Sequence, residues 1–203
     1  MNRRRPLIPA STVMVLAVTV GCSRTPPEPE PILRAPDTPR VEASASSPAA
    51  AGTRCILPTP AEPPPPAMPA VACPRDPGKP PTLRRGSVAF PEAGGARVEV
   101  EIARSAEETA RGLMYRTTLG DDAGMLFAMD RREHIFWMRN TCIPLDMLFI
   151  DDDGTIVGIL ENVPVLDEHE RTVGCPSSYV LEVGAGWSRR HGVRAGQRVV
   201  LSL

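Results

Sequence analysis

Residues 136–154 read FWMRNTCIPLDMLFIDDDG, and this stretch decides how the second half of the chain is organised. Its apolar run at residues 145–150 is followed by three aspartates and Gly154, and a second apolar run covers residues 155–160. Glycine adopts the left-handed backbone of a tight turn without steric cost. The pattern therefore predicts a β-hairpin that turns at Gly154.

Further elements are predicted on both sides of this hairpin. Residues 97–103, RVEVEIA, alternate apolar and polar side chains as a half-buried strand does. Ser105 with Glu108 three residues later forms a capping box, which predicts a helix over residues 106–114. The remaining apolar runs predict strands at residues 124–129, 134–138, 179–183 and 197–201 and a short helix at 185–191. Strands outnumber helices without a regular βαβ alternation. This predicts an α+β fold: a compact, mostly antiparallel β-sheet or partly closed β-barrel with two short helices.

The first 22 residues have the pattern of an export signal. Three arginines at residues 3–5 precede an apolar run at residues 7–20, which is too short for a transmembrane helix of about 20 residues. The run ends in small residues before Cys22, as in bacterial lipoproteins whose cysteine becomes the lipidated N-terminus. We therefore predict lipidation at Cys22 and membrane anchoring in the cell envelope. An ordinary signal peptide cleaved nearby and an uncleaved anchor are the alternatives.

Residues 23–82 differ in composition from the rest of the chain. They hold 18 of the 24 prolines, with alanine, serine and threonine between them. Such a segment cannot bury enough apolar surface to offset its conformational entropy, and consecutive prolines at 63–66 favour an extended polyproline conformation. We predict a disordered, Pro-rich tether over residues 23–82 and one folded domain over residues 83–203.

The charge of the predicted domain argues against nucleic acid as a partner. Residues 83–203 carry 14 arginines and 18 aspartates and glutamates, a net charge of 14 − 18 = −4. No basic stripe interrupts this acidic balance, and a nucleic-acid interface needs one.

Five blocks of sequence occur in an order that resembles a known family. They are RGLMYR at 111–116, GMLF at 124–127, FWMRNT at 136–141, PLD at 144–146 and YVLE at 179–182. Together they resemble the DUF192 family, a small domain of unknown function in bacteria and archaea that is common in exported proteins. The resemblance covers about residues 87–202. It implies a compact, β-rich single domain and no established activity.

Four cysteines remain once Cys22 is assigned to the lipid, an even number suited to disulfides in an oxidising compartment. Three pairings are possible. Cys142 and Cys175 are the two that lie inside the domain, so we predict a bond between them, which leaves Cys55 and Cys73 to close a loop in the tether. The spacing contains no Cys-x-x-Cys pair, which argues against a zinc site.

The polar residues around the predicted hairpin are the best candidates for a ligand site, because a turn on a rigid scaffold is a common place for one. Tryptophan offers a stacking face and arginine a fork for carboxylate or phosphate oxygens. The candidate binding residues are Trp137, Asn140, Thr141, Asp146, Arg111 and Arg116. The alternative role for this group is structural, with turn backbone groups satisfied by Asn140 and Thr141 and an ion pair between Asp146 and an arginine.

Other chemistries are less well supported by the residues. A catalytic site needs an activated nucleophile with a base, and the three histidines stand in no recognisable catalytic motif. Copper(I) binding is a second alternative, since soft thioether ligands select that ion; its candidate ligands are His134, Met114, Met125, Met129, Met138 and Met147. We therefore predict a cell-envelope lipoprotein that binds a small ligand or an envelope protein and uses no cofactor. An extracytoplasmic hydrolase acting through the region of Trp137 is the first alternative.

Overall fold

The computed structural model of the protein describes residues 54–203. The predicted export signal, the lipidation at Cys22 and the first part of the predicted tether lie outside these residues. Within residues 54–203, neither helix is long and apolar enough to cross a membrane.

Seven strands form one sheet, and two short helices accompany it. The elements are β1 (Arg84–Phe90), β2 (Ala96–Ala103), α1 (Ala106–Arg111), β3 (Ala123–Arg132), β4 (Leu145–Ile150), β5 (Ile156–Val163), β6 (Ser177–Gly184), α2 (Trp187–Arg190) and β7 (Val200–Ser202). The order of the strands across the sheet is β5-β4-β6-β3-β2-β1-β7. Every neighbouring pair is antiparallel except β2 and β3. These two strands are parallel neighbours in the sheet, and α1 lies in the chain segment that connects them. The predicted class, a mostly antiparallel sheet with two short helices, is confirmed, and the sheet is not closed into a barrel.

The sheet carries a separate apolar core on each face, because successive side chains of a strand point to opposite sides. In β6, Leu181 and Val183 join the core that contains Trp187 of α2, and we call this side the α2 face. Val180 joins the second core together with Phe127, and we call this side the Phe127 face. Both faces of the central strands are therefore covered, and every residue of β4 is buried.

The predicted hairpin and the predicted capping box are both present. Strands β4 and β5 pair antiparallel around Gly154, whose φ is 83°. A side chain at this position would place its Cβ 2.6 Å from the carbonyl oxygen of Val199, so the turn requires glycine on two counts. At α1, the Ser105 hydroxyl accepts from the Glu108 amide, and the Glu108 carboxylate accepts from the Ser105 amide. Two amides of the helix N-terminus are thereby satisfied.

The predicted strand at residues 134–138 is wrong. Phe136 makes an isolated bridge with Arg171, and the Met138 amide donates to the carbonyl of Asp167. These partners belong to the irregular segment between β5 and β6, not to the sheet. The apolar run instead follows from packing, because the Phe136 ring lies edge-on to Phe127 at 5.1 Å.

The predicted disulfide between Cys142 and Cys175 is also wrong. Cys55 is bonded to Cys175 and Cys73 to Cys142, with Cα–Cα distances of 5.5 and 5.6 Å. Assigning Cys55 and Cys73 to a separate tether hid the true partners. Each domain cysteine is instead bonded to the proline-rich segment, across 120 and 69 residues of sequence.

Residues 54–82 form no helix or strand, yet they are not the disordered tether that their composition predicts. They lie along the edge strand β5 and the neighbouring segments, and we call them the strap. The Leu57 amide donates to the carbonyl of Val157 in β5, and Arg189 donates to the carbonyls of Pro60 and Ala61. The strap buries little apolar surface, and the two disulfides and these hydrogen bonds hold it against the domain instead. The strap also covers part of an edge strand, whose free backbone groups otherwise invite aggregation.

Candidate functional site

A cavity with a volume of about 360 Å³ lies on the Phe127 face. Buried residues form its floor and walls, among them Leu113, Phe127 and Glu182. The exposed side chains of Ile135 and Trp137 form part of its rim. This volume equals about a dozen water molecules at liquid density, enough for a small organic ligand.

Glu182 is the most unusual residue of this cavity. It lies on central strand β6 between Met125 of β3 and Met147 of β4, both fully buried. Its own exposed fraction is 4%, and its carboxyl group makes no hydrogen bond or ion pair within residues 54–203. Burial raises the pKa of Glu182 to about 8, so its carboxyl group is mostly protonated at neutral pH.

His134 is the second titratable group of the cavity, and its hydrogen bonds fix its tautomer. Nε2 lies 3.0 Å from the carbonyl oxygen of Asp130 and 3.1 Å from that of Ser177. Both partners are acceptors, so Nε2 carries the proton and donates, which leaves Nδ1 as an unprotonated acceptor. Burial is the main cause that lowers the pKa of His134, so the ring is neutral at pH 7.

Two predicted ligand residues line this cavity at the end of the 134–138 run. Trp137 is 48% exposed, and the guanidinium carbon of Arg139 lies 5.6 Å from its ring centroid. Thr141 is buried, and its hydroxyl donates to the Arg139 carbonyl at 3.3 Å. The hydroxyl oxygen keeps acceptor capacity for a ligand. Trp137 therefore stands at the rim of the cavity and Thr141 in its wall, and their role in ligand binding stays a prediction.

Asn140 does not line the cavity and has a structural role. Its φ is 53°, and the Thr141 amide donates to the Met138 carbonyl, which closes a tight turn. Asparagine tolerates this left-handed conformation better than most residues. The Asn140 side chain donates to the hydroxyl of Tyr115 at 2.9 Å, and the Tyr115 amide donates to the Asn140 carbonyl at 2.8 Å. The turn is thereby tied to the segment that follows α1.

Asp146 lies on the opposite face of the sheet from the cavity. It is fully buried, and its carboxylate accepts from the backbone amides of Asn162, Gly186 and Ser188 at 2.9 to 3.0 Å. Gly186 is the N-cap of α2 and has no capping side chain, so Asp146 supplies the acceptor that the helix N-terminus needs. The alternation of β4 explains the separation, because Met147 faces the cavity side and Asp146 faces α2.

The two predicted arginines are both engaged in ion pairs. Arg116 is paired with Glu101 of β2 and does not line the cavity. Arg111 lines the cavity but is paired with Asp76 of the strap, and its guanidinium carbon lies 4.5 Å from the ring centroid of Tyr115. Neither arginine contacts Asp146, so the predicted ion pair with that residue is wrong.

The candidate copper ligands are divided between core and cavity. Met125, Met138 and Met147 are fully buried in the core of the Phe127 face, whereas Met114 and Met129 line the cavity together with His134.

A cluster of carboxylates lies at the hairpin turn, where Asp151, Asp152 and Asp153 are within 4.8 Å of one another. Arg131 pairs with the first of them and Arg54 with the last, so two of the three carboxylates already have a cationic partner.

The sequence interpretation missed Glu182 as a site residue. A signal was present, since Glu182 interrupts the apolar run YVLEV of a predicted strand. The strand pattern alone leaves open whether the carboxyl group of Glu182 faces solvent or is buried. The central place of β6 in the sheet, which only the structure reveals, selects the buried position.

Comparison with known proteins identifies relatives without a described activity. The DUF192 family, described as "Uncharacterized ACR", matches residues 89–201. A crystal structure from Sinorhizobium meliloti 1021, described as a candidate transcription regulator, is 38% identical with a TM-score of 0.58; the match covers 61% of this chain and 98% of that one. A protein of unknown function from Novosphingobium aromaticivorans DSM 12444 is 34% identical with a TM-score of 0.57, covering 64% and 94%. No curated protein matches the chain. The family match spans more than half of the 203 residues and contains strands β2 to β6 and the residues that line the cavity, so the chain belongs to the DUF192 family.

Proposed function

We propose that the domain is a binding module for a small organic molecule, which enters the cavity over Glu182. The observation that carries this proposal is a buried carboxyl group with no partner at the floor of an open 360 Å³ cavity. Buried polar groups are nearly always hydrogen-bonded, because leaving one unpaired costs about 1–3 kcal/mol. Glu182 lines the cavity and has no protein partner there, so its hydrogen bonds are left to water or to a ligand.

The rim and walls support the same function. Trp137 and Ile135 expose 48% and 55% of their surface beside the opening, and large exposed apolar side chains next to a cavity favour contact with a ligand. Thr141 and the unprotonated Nδ1 of His134 add polar groups around an apolar interior. A few polar groups in a mostly apolar pocket are typical of small-molecule sites.

A hydrolase function gains less support from this geometry. The Thr141 hydroxyl donates to a backbone carbonyl, and the Nε2 proton of His134 is held by two others. Neither contact forms the hydrogen bond between nucleophile and base that covalent catalysis requires.

Copper(I) binding is a second candidate, favoured by the presence of Met114, Met129 and His134 around one cavity. Thioether and imidazole groups suit that ion. A Cu(I) titration against a chromophoric chelator tests it, and replacement of both methionines by leucine should abolish competition. Unchanged competition in that double variant would exclude this site.

A transcriptional role of the kind named for the relative from Sinorhizobium is not proposed for this chain. The domain carries a net charge of −4 over residues 83–203, and duplex DNA repels an acidic surface unless a basic patch offsets it.

We propose further that the module is exported and anchored by a lipid at Cys22. Two disulfides are typical of an oxidising compartment. Cys22→Ala should abolish labelling by a fatty-acid probe and release the protein from membrane fractions. Normal labelling of that variant would exclude lipidation at this residue.

The binding function is tested by a fragment screen with NMR detection on the intact disulfide-bonded domain. We expect hits to shift the indole resonance of Trp137 and the amide resonances of Leu113, Phe127 and Glu182 together. Trp137→Ala should weaken these hits at least severalfold. Val200→Ala is the control, since Val200 is an exposed apolar residue on edge strand β7, outside the cavity. A second cleft lies between the strap and β5 and is lined by Leu57, Pro60 and Leu160 among others. Hits that all map to this cleft, or no hits at all, would contradict the proposal.

A further inference from the structure

We infer that the cavity recognises a positively charged nitrogen: its ligand is a small organic ammonium or amidinium compound whose apolar body lies against the aromatic walls and whose cation pairs with Glu182. This inference rests on the binding function proposed above and names its ligand class. Nothing in the family description or in the related structures assigns such a site.

The first argument is the charge balance of the cavity. Four charged or titratable groups line it besides Glu182: Arg111, Arg132, Glu133 and His134. The charge of Arg111 is balanced by its ion pair with Asp76, Arg132 and Glu133 are adjacent and opposite in sign, and His134 is neutral. Ionised Glu182 would therefore leave the cavity with one uncompensated negative charge, which a monovalent cation neutralises.

The second argument is the position of the carboxyl group. Glu182 lies between the buried Met125 and Met147 on the two neighbouring strands, and no arginine is within ion-pairing distance of it in the described residues. A charge can be held in such apolar surroundings only with an opposite charge beside it. The protein supplies none, so Glu182 can ionise in the closed site only when a ligand brings the complementary charge.

The third argument is the fit between the apolar walls of the cavity and the apolar part of such a ligand. Phe127 and Phe136 stand edge to face with ring centroids 5.1 Å apart, and Leu113 and Met114 also line the cavity. These groups suit an apolar or aromatic body attached to the cation. The domain's net charge of −4 further favours the approach of a cationic ligand over an anionic one.

Binding of a cation releases a proton, and this gives the inference a clear signature. At pH 7 the carboxyl group of Glu182 is mostly protonated, because burial raises its pKa to about 8. Pairing with an ammonium ion, R–NH₃⁺, converts the carboxyl group to a carboxylate and transfers its proton to solvent. The Kd of an alkylammonium ligand should therefore fall about tenfold per pH unit below pH 8 and level off above it. A neutral ligand that accepts a hydrogen bond from the protonated carboxyl group would show the reverse trend.

The experiment compares three probes that share a 2-phenylethyl group: 2-phenylethylamine, 2-phenylethanol and 3-phenylpropionate. Calorimetric titration of the intact protein is carried out at pH 6, 7, 8 and 9, and at pH 7 in two buffers of different ionisation enthalpy. We expect the amine to bind at least tenfold tighter than the other two at pH 8, with release of close to one proton at pH 7 and few at pH 9.

Two variants assign the effect to the carboxyl group. Glu182→Gln should abolish amine binding and its proton release. Glu170→Gln, which removes an exposed carboxylate outside the cavity, should change the Kd by less than about threefold. If Glu182→Gln fails to fold, the pH profile of the unmodified protein still decides, because its sign differs between cationic and neutral ligands.

The outcomes separate this inference from the binding function itself. If the alcohol or the carboxylate binds as tightly as the amine and shifts the Trp137 resonance, the cavity is a ligand site but the cation class is refuted. The class is also refuted if amine affinity does not change between pH 6 and 8. If the fragment screen finds no cavity ligand of any charge, the binding function fails and the inference with it.

Discussion

Replacement of Glu182 by glutamine is expected to change how the stability of the domain depends on pH. Burial raises the pKa of this carboxyl group from the usual 4.5 to about 8 in the folded protein. Between these two values the folded state holds a proton that the unfolded chain has released. The folded state therefore binds more protons, and linkage requires the free energy of unfolding to fall as the pH rises through this range.

The magnitude follows from the same two pKa values. Above pH 6 the unfolded carboxyl group is fully ionised, while the folded group loses its proton mainly between pH 7 and 9. Integrating the linkage relation from pH 6 to 9 gives a loss of about 2.5 kcal/mol in the free energy of unfolding. His134 acts in the opposite sense, because its lowered pKa makes stability fall as the pH drops below about 6.5. That contribution is the same in the wild type and the variant and cancels in their difference.

The assay is urea unfolding at several values between pH 6 and 9 with the disulfides intact, followed by circular dichroism. The wild type should lose about 2.5 kcal/mol relative to Glu182→Gln across this range. Glu133→Gln is the matched control, because this glutamate lines the same cavity but is exposed, and its curve should follow the wild type. Parallel curves for the wild type and Glu182→Gln would refute the reasoning, since a carboxyl group with an ordinary pKa is ionised throughout.

Two further predictions concern the covalent and polar framework. Non-reducing peptide mapping should recover Cys55 linked to Cys175 and Cys73 linked to Cys142; a peptide joining Cys142 to Cys175 would contradict the structure. Each cross-link closes a long loop and should stabilise the fold by on the order of 4 kcal/mol in the chain-entropy account, so reduction should lower the unfolding midpoint strongly. Asp146→Ala removes the acceptor of three backbone amides, one buried and two half-buried, and should cost about 3 kcal/mol or more. Asp146→Asn keeps one acceptor oxygen and should cost less. Equal stability of both variants and the wild type would exclude the capping role.

The local elements with strong sequence signals were predictable. The hairpin around Gly154 and the capping box of Ser105 and Glu108 each rest on a few adjacent residues whose backbone preferences agree. Strand β1 was missed because its sequence, RRGSVAF, lacks clear alternation and contains Gly86. Its extended conformation depends on neighbours, since it pairs with β2 on one side and β7 on the other, and a Cβ at Gly86 would lie 2.4 Å from the Ser202 carbonyl.

The candidate site was predicted only in part, for a geometric reason. Trp137, Thr141 and Arg111 do line one cavity. Asp146 does not, because strand alternation directs it to the opposite face of the sheet from its neighbour Met147. Within β4, closeness in sequence to Thr141 did not predict which residues line the cavity. Glu182 is 36 residues further along the chain than Asp146, and only the pairing of β6 with β3 and β4 brings it under the cavity.

The corrected disulfide pairing links the proline-rich strap to the cavity. Cys142 directly follows Thr141, a wall residue, and is bonded to Cys73 of the strap. Three residues beyond Cys73, Asp76 holds Arg111, which lines the cavity from the end of α1. The strap therefore restrains two separate walls from outside, once by a covalent bond and once by an ion pair. A bond between Cys142 and Cys175 would have left the strap without its covalent attachment and these walls without that support. Residues 54–82, whose composition predicts a free tether, thus contribute to the shape of the site.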